Sequence, residues 1–278
     1  MISLKKLFTP VKSIDSEEAK TFMAERKASA YTLLDVRQPK EYEDEHIPGA
    51  KLIPLPGLKE GLSELDKHKP VIAYCAIGGR SLAAAQLLSG LGFKEIYNLK
   101  GGIKAWQGGK AAGPRELNLE LVHGNETPAE MIALAYGMEM GLGIVYREMT
   151  ERSNDPELQR LLTRLADIEN QHKKRLLEFL AEIDSPIADT DAYEADIRPS
   201  ILEGGFGLDD FMQENESFFG SVQGILDLAM MLETQALDLY LRFAEKSTDE
   251  RTQQVLFSIA DEEKAHLSSL GDLMDQKI

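Results

Sequence analysis

The C-terminal half of this sequence repeats itself at a fixed offset of 94 residues. Glu139 falls on Glu233, Tyr146 on Tyr240, Ser153 on Ser247, Asp155 on Asp249, Gln159 on Gln253, Ala166 on Ala260, Asp167 on Asp261, Glu169 on Glu263 and His172 on His266, without a gap. A repeat of this kind is one supersecondary unit used twice. Apolar residues recur at three- and four-residue spacing over 129–151, 156–181, 221–246 and 249–273, which predicts four helices. Each copy therefore reads as a helical hairpin and the two copies as a four-helix bundle. The stretch between them, 182–220, contains Pro186, Pro199 and Gly204-Gly-Phe-Gly207 and reads as a long crossover, a known bundle connection.

Nothing before residue 112 follows that period. Tyr31–Val36, Lys51–Pro54, Val71–Tyr74 and Glu95–Leu99 are short apolar runs separated by amphipathic or turn-rich stretches, the rhythm of an α/β domain with a mainly parallel sheet. Charge divides the chain at the same place. Residues 1–112 carry 17 Lys and Arg against 13 Asp and Glu, and residues 113–278 carry 14 against 34. With Gly108–Pro114 as punctuation, the expected domains are 1–110 and 128–278, joined by a linker over 111–127. The total net charge of −16 argues against nucleic acid as a partner, because phosphate binding needs clustered Lys and Arg. No run approaches the roughly 18 apolar residues of a membrane span, and Pro10 interrupts the start, so no membrane partner and a cytoplasmic location are expected. Cys75 is the one cysteine, which excludes an internal disulfide and any CxxC metal or redox knuckle.

The repeated acids and histidines have a geometry. Glu139 and Glu169 each lie fifteen residues from Asn154, and Glu233 and Glu263 each lie fifteen from Thr248. In an antiparallel helix pair, residues equidistant from the turn sit at the same height, about 22 Å from it at 1.5 Å per residue. His172 and His266 follow Glu169 and Glu263 by three residues, on the same helical face. A pseudo-twofold relation between the copies brings four glutamates and two histidines into the bundle interior. Such a set suits paired iron or manganese: carboxylates balance two divalent charges, and one imidazole per metal leaves positions open.

Two Glu-x-x-His pairs with matched Glu partners resemble the rubrerythrin group of the ferritin-like superfamily over residues 125–276. The resemblance implies a di-iron centre (two iron ions, with manganese as the alternative metal) held by Glu139, Glu169, His172, Glu233, Glu263 and His266. It also implies reduction of peroxide or oxygen. Tyr146 and Tyr240 are similar to a tyrosine that hydrogen-bonds a ligand carboxylate, with a core aromatic as the other reading. Asp167 and Asp261 read either as partners that orient a histidine or as ordinary polar positions. Where many members have an extra glutamate, Ala236 stands here, so the site is similar to the six-ligand, more symmetric ferritin-like type. The absence of a rubredoxin-like CxxC domain implies an external electron donor, such as a rubredoxin-like protein. Gly137, Gly141 and Gly143 permit close helix approach, and a homodimer is expected.

In the N-terminal domain, Cys75-Ala-Ile-Gly-Gly-Arg80-Ser81 follows an apolar strand and precedes a helical stretch. A thiol there sits over backbone N–H groups at a positive helix end, which stabilises a thiolate or persulfide anion. Gly78 and Gly79 allow a tight cradle, and Arg80 reads either as a binder of an anionic donor or as a cap of the fold. Together with Leu33-Leu-Asp-Val-Arg37, Glu41-Tyr42, His46-Ile-Pro-Gly-Ala50 and Leu99-Lys-Gly-Gly-Ile-Lys-Ala-Trp106, this loop resembles a single-domain rhodanese over 10–108. Glu45 stands where that family generally has glycine, a change confined to local loop shape.

The rhodanese resemblance implies a catalytic Cys75, aided by Arg80, that carries sulfur as a persulfide. The sulfur would pass from a sulfane donor such as thiosulfate or a persulfide to an external thiol. Asp35 and Arg37 would be scaffold beside the loop, as would Ala76, Ile77, Gly78, Gly79 and Ser81. His46 and Trp106 read as turn and core residues, and Gly101 and Gly102 as turn glycines. The whole is expected to be a bifunctional sulfurtransferase and di-iron redox protein. The alternative is an iron-binding or storage module with a sulfur-carrier or interaction domain.

Overall fold

Short strands whose residues are apolar without alternation belong in a parallel sheet covered on both faces, and Val71–Tyr74, buried at every position, is the clearest case here. The computed structural model describes residues 11–183, 189–197 and 201–275; Pro10, Pro186 and Pro199 lie outside them. The chain divides into two units, Met1–Leu117 and Asn118–Ile278. Unit one runs β1 (Lys12–Ile14), α1 (Ser16–Ala24), β2 (Thr32–Asp35), α2 (Pro39–Asp44), β3 (Lys51–Leu52), β4 (Val71–Tyr74), α3 (Gly79–Gly90) and β5 (Ile96–Leu99). The strands form one sheet in the order β1-β5-β4-β2-β3, and every pair is parallel.

Successive side chains of a strand leave on opposite faces, and this builds two cores. Leu34, Val71, Ala73 and Cys75 pack with Ala84, Ala85 and Leu88 of α3. Leu33, Ile72 and Tyr74 pack on the other face with Ala19, Tyr42 and Ile103. Strand β1 is absent from the sequence reading for a physical reason. Its three residues, Lys-Ser-Ile, bury only Ile14, so they carry no apolar pattern of their own and become a strand by pairing with β5.

Unit two contains the four long helices α4 (Pro128–Arg152), α5 (Pro156–Ile183), α8 (Val222–Lys246) and α9 (Glu250–Asp275), with the short α6 (Thr190–Asp196) and α7 (Leu208–Glu214) between the hairpins. Thr127 opens α4 with a capping box to Glu130 and Pro128 in the first turn, all signals of a helix start. The repeated polar residues explain themselves at the turns. Gln159 Nε2 donates to Ser153 O at 2.8 Å, and Gln253 Nε2 donates to Ser247 O at 2.7 Å, the same closure in both hairpins.

The crossover is more ordered than a plain connection. Glu194 of α6 accepts from Tyr136 Oη at 2.7 Å and from Lys173 Nζ at 2.8 Å, tying it to the first hairpin. A Cβ on Gly141 would lie 2.9 Å from Ile201 O, and one on Gly137 would lie 3.1 Å from Ile197 Cγ2. The close approach these glycines permit is thus taken by the chain's own crossover. The stretch 111–127 is shared between the units: Ala111 bridges to His46, while Lys246 Nζ donates to Leu119 O and Val122 O. Among the described residues no helix is long and apolar enough to cross a membrane.

Candidate functional site

Cys75 directly follows β4, the central strand, at the carboxyl end of the sheet, where open α/β sheets form their ligand crevice. The chain turns at Gly78, whose φ of 94° favours glycine, and enters α3 at Gly79. The thiol is buried, with 1% of the residue exposed. Sγ accepts from Gly78 N at 3.1 Å and from Ser81 Oγ at 3.5 Å. Burial alone would push the thiol up. The Ser81 hydroxyl and the amides of Ser81, Ile77 and Gly78 outweigh it and hold the group below its ordinary value, because they favour the anion. The Ser81 hydroxyl also lies 2.7 Å from Asn98 Oδ1, while Asn98 Nδ2 donates to Ser13 Oγ at 3.1 Å. One hydroxyl proton thus serves two acceptors. Ala76 and Gly79 complete the loop, and Ile77 stands at its rim, 69% exposed.

The loop is held from beneath by the 101–104 segment, whose two glycines read from the sequence as turn glycines. Ile103 N donates to Cys75 O at 2.8 Å and Lys104 N to Ala76 O at 3.2 Å. Gly101 and Gly102 both have positive φ, and a Cβ on Gly102 would fall 2.7 Å from Ala76 O and closer still to the Cys75 carbonyl. Asp35 and Arg37 form a buried bidentate pair, with Arg37 Nε donating to Oδ1 at 3.0 Å and Nη2 to Oδ2 at 2.6 Å, and Arg37 Nη2 also donates to Glu45 O at 2.7 Å. Glu45 is extended, with φ −165°, a conformation any residue adopts, so glutamate in place of glycine leaves the backbone unstrained there. His46 stacks on Tyr42 at 3.7 Å with Nδ1 on Tyr42 O, and Trp106 Nε1 donates to Gly109 O. Arg80 is paired with Glu41. Its guanidinium makes two hydrogen bonds to Glu41, at 2.6 and 2.7 Å.

In unit two the structure brings all six repeated acids and histidines together. His172 Nδ1 lies 3.2 Å from Glu139 Oε2 and 3.0 Å from Glu169 Oε2. His266 Nδ1 lies 3.3 Å from Glu233 Oε2 and 3.0 Å from Glu263 Oε2. The two imidazoles stack with centroids 3.3 Å apart and planes 5° apart, so the half-sites of the two hairpins meet ring to ring. Tyr240 and Tyr146 are both buried, and Tyr240 Oη points to Met138 Sδ at 3.6 Å. Asp167 is exposed, and the half-buried Asp261 pairs with Lys264 at 2.7 Å. Ala236 is fully buried.

Glu139, Glu169, Glu233 and Glu263 are each no more than 2% exposed. Four carboxylates in so little water repel one another. Burial, followed by the charges of Glu233 and Glu169, pushes Glu263 well above the ordinary carboxylate range. For Glu233 burial works the same way, yet hydrogen bonds from His266 and Glu263 outweigh it and hold it low. Glu169 Oε2 is buried, and His172 Nδ1 at 3.0 Å makes an ion-pair contact but no hydrogen bond to it. Carboxylate and imidazole donors of Glu139, Glu169 and His172, and of His172, Glu233 and His266, lie within 4.8 Å of one another. The donor chemistry fits divalent iron or manganese, whose charge removes the repulsion. A cavity of about 300 Å³ reaches Glu169, His172, Glu233 and His266, with Arg164, Arg175 and Glu262 also in its wall.

Comparison with known proteins agrees with both halves. The rhodanese-like domain family matches residues 16–108, and rubrerythrin matches residues 130–274. Over 76 residues the chain is 53% identical to the uncharacterized protein YqhL of Bacillus subtilis (strain 168), covering 27% of this chain and 60% of that one. Over 75 residues it is 43% identical to the thiosulfate sulfurtransferase GlpE of Coxiella burnetii, covering 27% and 70%. A solved rhodanese-like domain protein from Staphylococcus aureus is 33% identical, with 34% of this chain and 91% of that chain covered and a TM-score of 0.32. Since the rubrerythrin match spans more than half of its residues, the chain belongs to the rubrerythrin family, and it carries a rhodanese-like domain ahead of the iron-binding bundle that this family implies.

Proposed function

We propose that the protein is bifunctional, with sulfur transfer at Cys75 and di-iron reduction of peroxide or oxygen in the bundle. The sulfur half draws support from the buried thiol held low by loop amides and from the name of the Coxiella relative. In the transfer, the Cys75 thiolate attacks the outer sulfur of a sulfane donor. The Sγ–S bond forms, the donor's S–S bond breaks, and the leaving group, sulfite in the case of thiosulfate, departs with the electron pair. The loop amides then hold the persulfide anion, and an external thiol takes the sulfur.

The observation that carries the metal half is the meeting of two equivalent Glu-Glu-His sets at the stacked rings of His172 and His266. Glu139 with His172, and Glu233 with His266, would each serve one metal, and Glu169 and Glu263 would serve both. Bound there, a metal pair supplies the two electrons that peroxide reduction requires. The helices exclude bulk water from the carboxylates, and the cavity admits a small oxidant. Electrons come from an external donor, such as a rubredoxin-like protein. Metal analysis and visible absorption on protein purified without oxygen test the centre. Turnover with peroxide after anaerobic reduction separates redox chemistry from iron binding or storage. Intact mass after thiosulfate treatment tests for one sulfur on Cys75.

A further inference from the structure

The positive charge nearest the thiol loop is already engaged. Arg80 Nη1 and Nη2 lie 2.7 and 2.6 Å from the two oxygens of Glu41, a bidentate pair of the strong kind. Glu41 is fixed independently of Arg80. It is the third residue of α2, and its Oε2 accepts from Gln38 N at 3.1 Å while Gln38 caps the same helix. The carboxylate is therefore part of the helix cap, placed before any donor arrives. About a third of each side chain is exposed, and Arg80 belongs to the same loop as Cys75 and interacts with its thiol, so the charge on the pair is felt at the reacting sulfur. Beside them Ile77, 69% exposed, and Leu82, 37% exposed, offer apolar surface on the same loop and helix start. A free Arg80 would reward every negative charge on a donor. The Glu41–Arg80 pair is neutral overall, so Arg80 meets the sulfur of Cys75 with its charge already balanced, and the amides of Ile77, Gly78 and Ser81 favour one anionic sulfur there.

On the sulfur-transfer reading above, we infer that Glu41 is a specificity-determining residue that turns the Cys75 loop toward singly charged sulfane donors with an organic substituent, and away from the thiosulfate dianion. The chemistry is unchanged across donors. With a thiosulfonate, the donor's S–S bond breaks, the terminal sulfur bonds to Sγ, and a sulfinate leaves with the electron pair in place of sulfite.

Thiosulfate and methanethiosulfonate differ only by an oxyanion replaced with a methyl group, which makes them a matched pair of probes. Glu41→Gln keeps a side chain that can serve the α2 cap and removes one charge. One charge acts on a dianion with twice the energy it exerts on a monoanion, so a change of about threefold for methanethiosulfonate becomes about tenfold for thiosulfate. The full-length chain and its Glu41→Gln variant are compared by kcat/KM for each donor, with cyanide as acceptor and thiocyanate as readout. The expected result is a rise of about tenfold for thiosulfate and about threefold for methanethiosulfonate, so that their ratio shifts about threefold toward thiosulfate. The shift should shrink as salt is added. Glu41→Ala, which removes the cap as well, should move the ratio in the same direction. A ratio unchanged in both variants, with both donors still active, overturns the inference and leaves the sulfur-transfer reading intact. Failure of both donors to load Cys75 in the unmodified chain overturns that reading and the inference with it.

Discussion

The two domains build reactive sites from opposite materials. In the N-terminal domain the candidate site is a continuous loop, Cys75–Ser81, in which one side chain is surrounded by the backbone of its neighbours and Ser81 adds a hydroxyl. In the bundle the six candidate residues run from Glu139 to His266 and lie on α4, α5, α8 and α9, so the site consists of side chains that meet only when four helices pack. A loop site depends on local dihedral angles. A bundle site depends on register. The first should be damaged by a misplaced methyl group and the second by a lost carboxylate, and each should be indifferent to damage in the other.

Removing the reactive groups has the largest expected effect. Cys75→Ser should abolish sulfur loading, read as the absence of added mass after donor treatment, while metal content and the rate of peroxide oxidation of the pre-reduced centre stay the same in rapid mixing. With one thiol in the chain, no internal disulfide can pass electrons to the bundle. Slowed oxidation at equal metal content would show that the thiol feeds the metal centre. The reciprocal variant, Glu169→Ala with Glu263→Ala, should cost most of the bound metal by elemental analysis and leave sulfur loading unchanged. Full metal content in that variant would remove these two glutamates from the centre.

A methyl group under the loop comes next. Gly102→Ala puts a Cβ against the Cys75 and Ala76 carbonyls and forces φ of 60° on a residue with a side chain. Strain of about 1–3 kcal/mol should displace the loop and lower sulfur loading by tenfold or more, with little change in the thermal unfolding of the bundle. Normal loading in Gly102→Ala would mean that the loop does not depend on its support.

That glycine also marks how far the sequence could be read. The four long helices and all six repeated acids and histidines were legible because a 94-residue repeat with helical periodicity states both the element and its register. Cys75 and its loop were legible because their residues are contiguous. What lay hidden is long-range. Gly102 looked like a turn glycine, and its contact with the Cys75 carbonyl exists only after β4 and β5 pair. Glu41 stood out only as part of the Glu41-Tyr42 motif, and its bond to Arg80 spans 39 positions. Strand β1 carries no apolar pattern, and the order within the crossover comes from Tyr136 and Lys173 on other helices.

Ser81→Ala tests the electrostatics of the loop with a milder change. It removes the hydroxyl that leads the lowering of Cys75, so the midpoint of alkylation rate against pH should move upward. It should nevertheless stay low enough, through the amides of Ile77 and Gly78, for reactivity to persist below the ~8.5 of a free cysteine. A midpoint unmoved by the substitution would assign the lowering to the backbone alone.

The smallest effect concerns stability. Two hydrogen bonds from Arg80 are the largest cause that holds Glu41 down at about 2, against an ordinary value of 4.5, with burial opposing and the Gln38 amide assisting. A carboxyl group lowered on folding contributes stability that is fully present above its unfolded value and is lost as pH falls through its folded value. Glu41 should therefore stabilise the rhodanese-like domain at neutral pH and stop doing so between pH 4.5 and about 2. Because a third of each side chain meets water, screening reduces the contribution to about 1 kcal/mol or less. Urea unfolding of the unmodified chain and of Glu41→Gln should differ by that amount at pH 7, converge as the pH approaches 2, and converge at pH 7 in high salt. A gap that instead widened as the pH fell would reverse the sign of the linkage and show that the carboxylate is held against Arg80 at a cost, for the sake of the loop it faces.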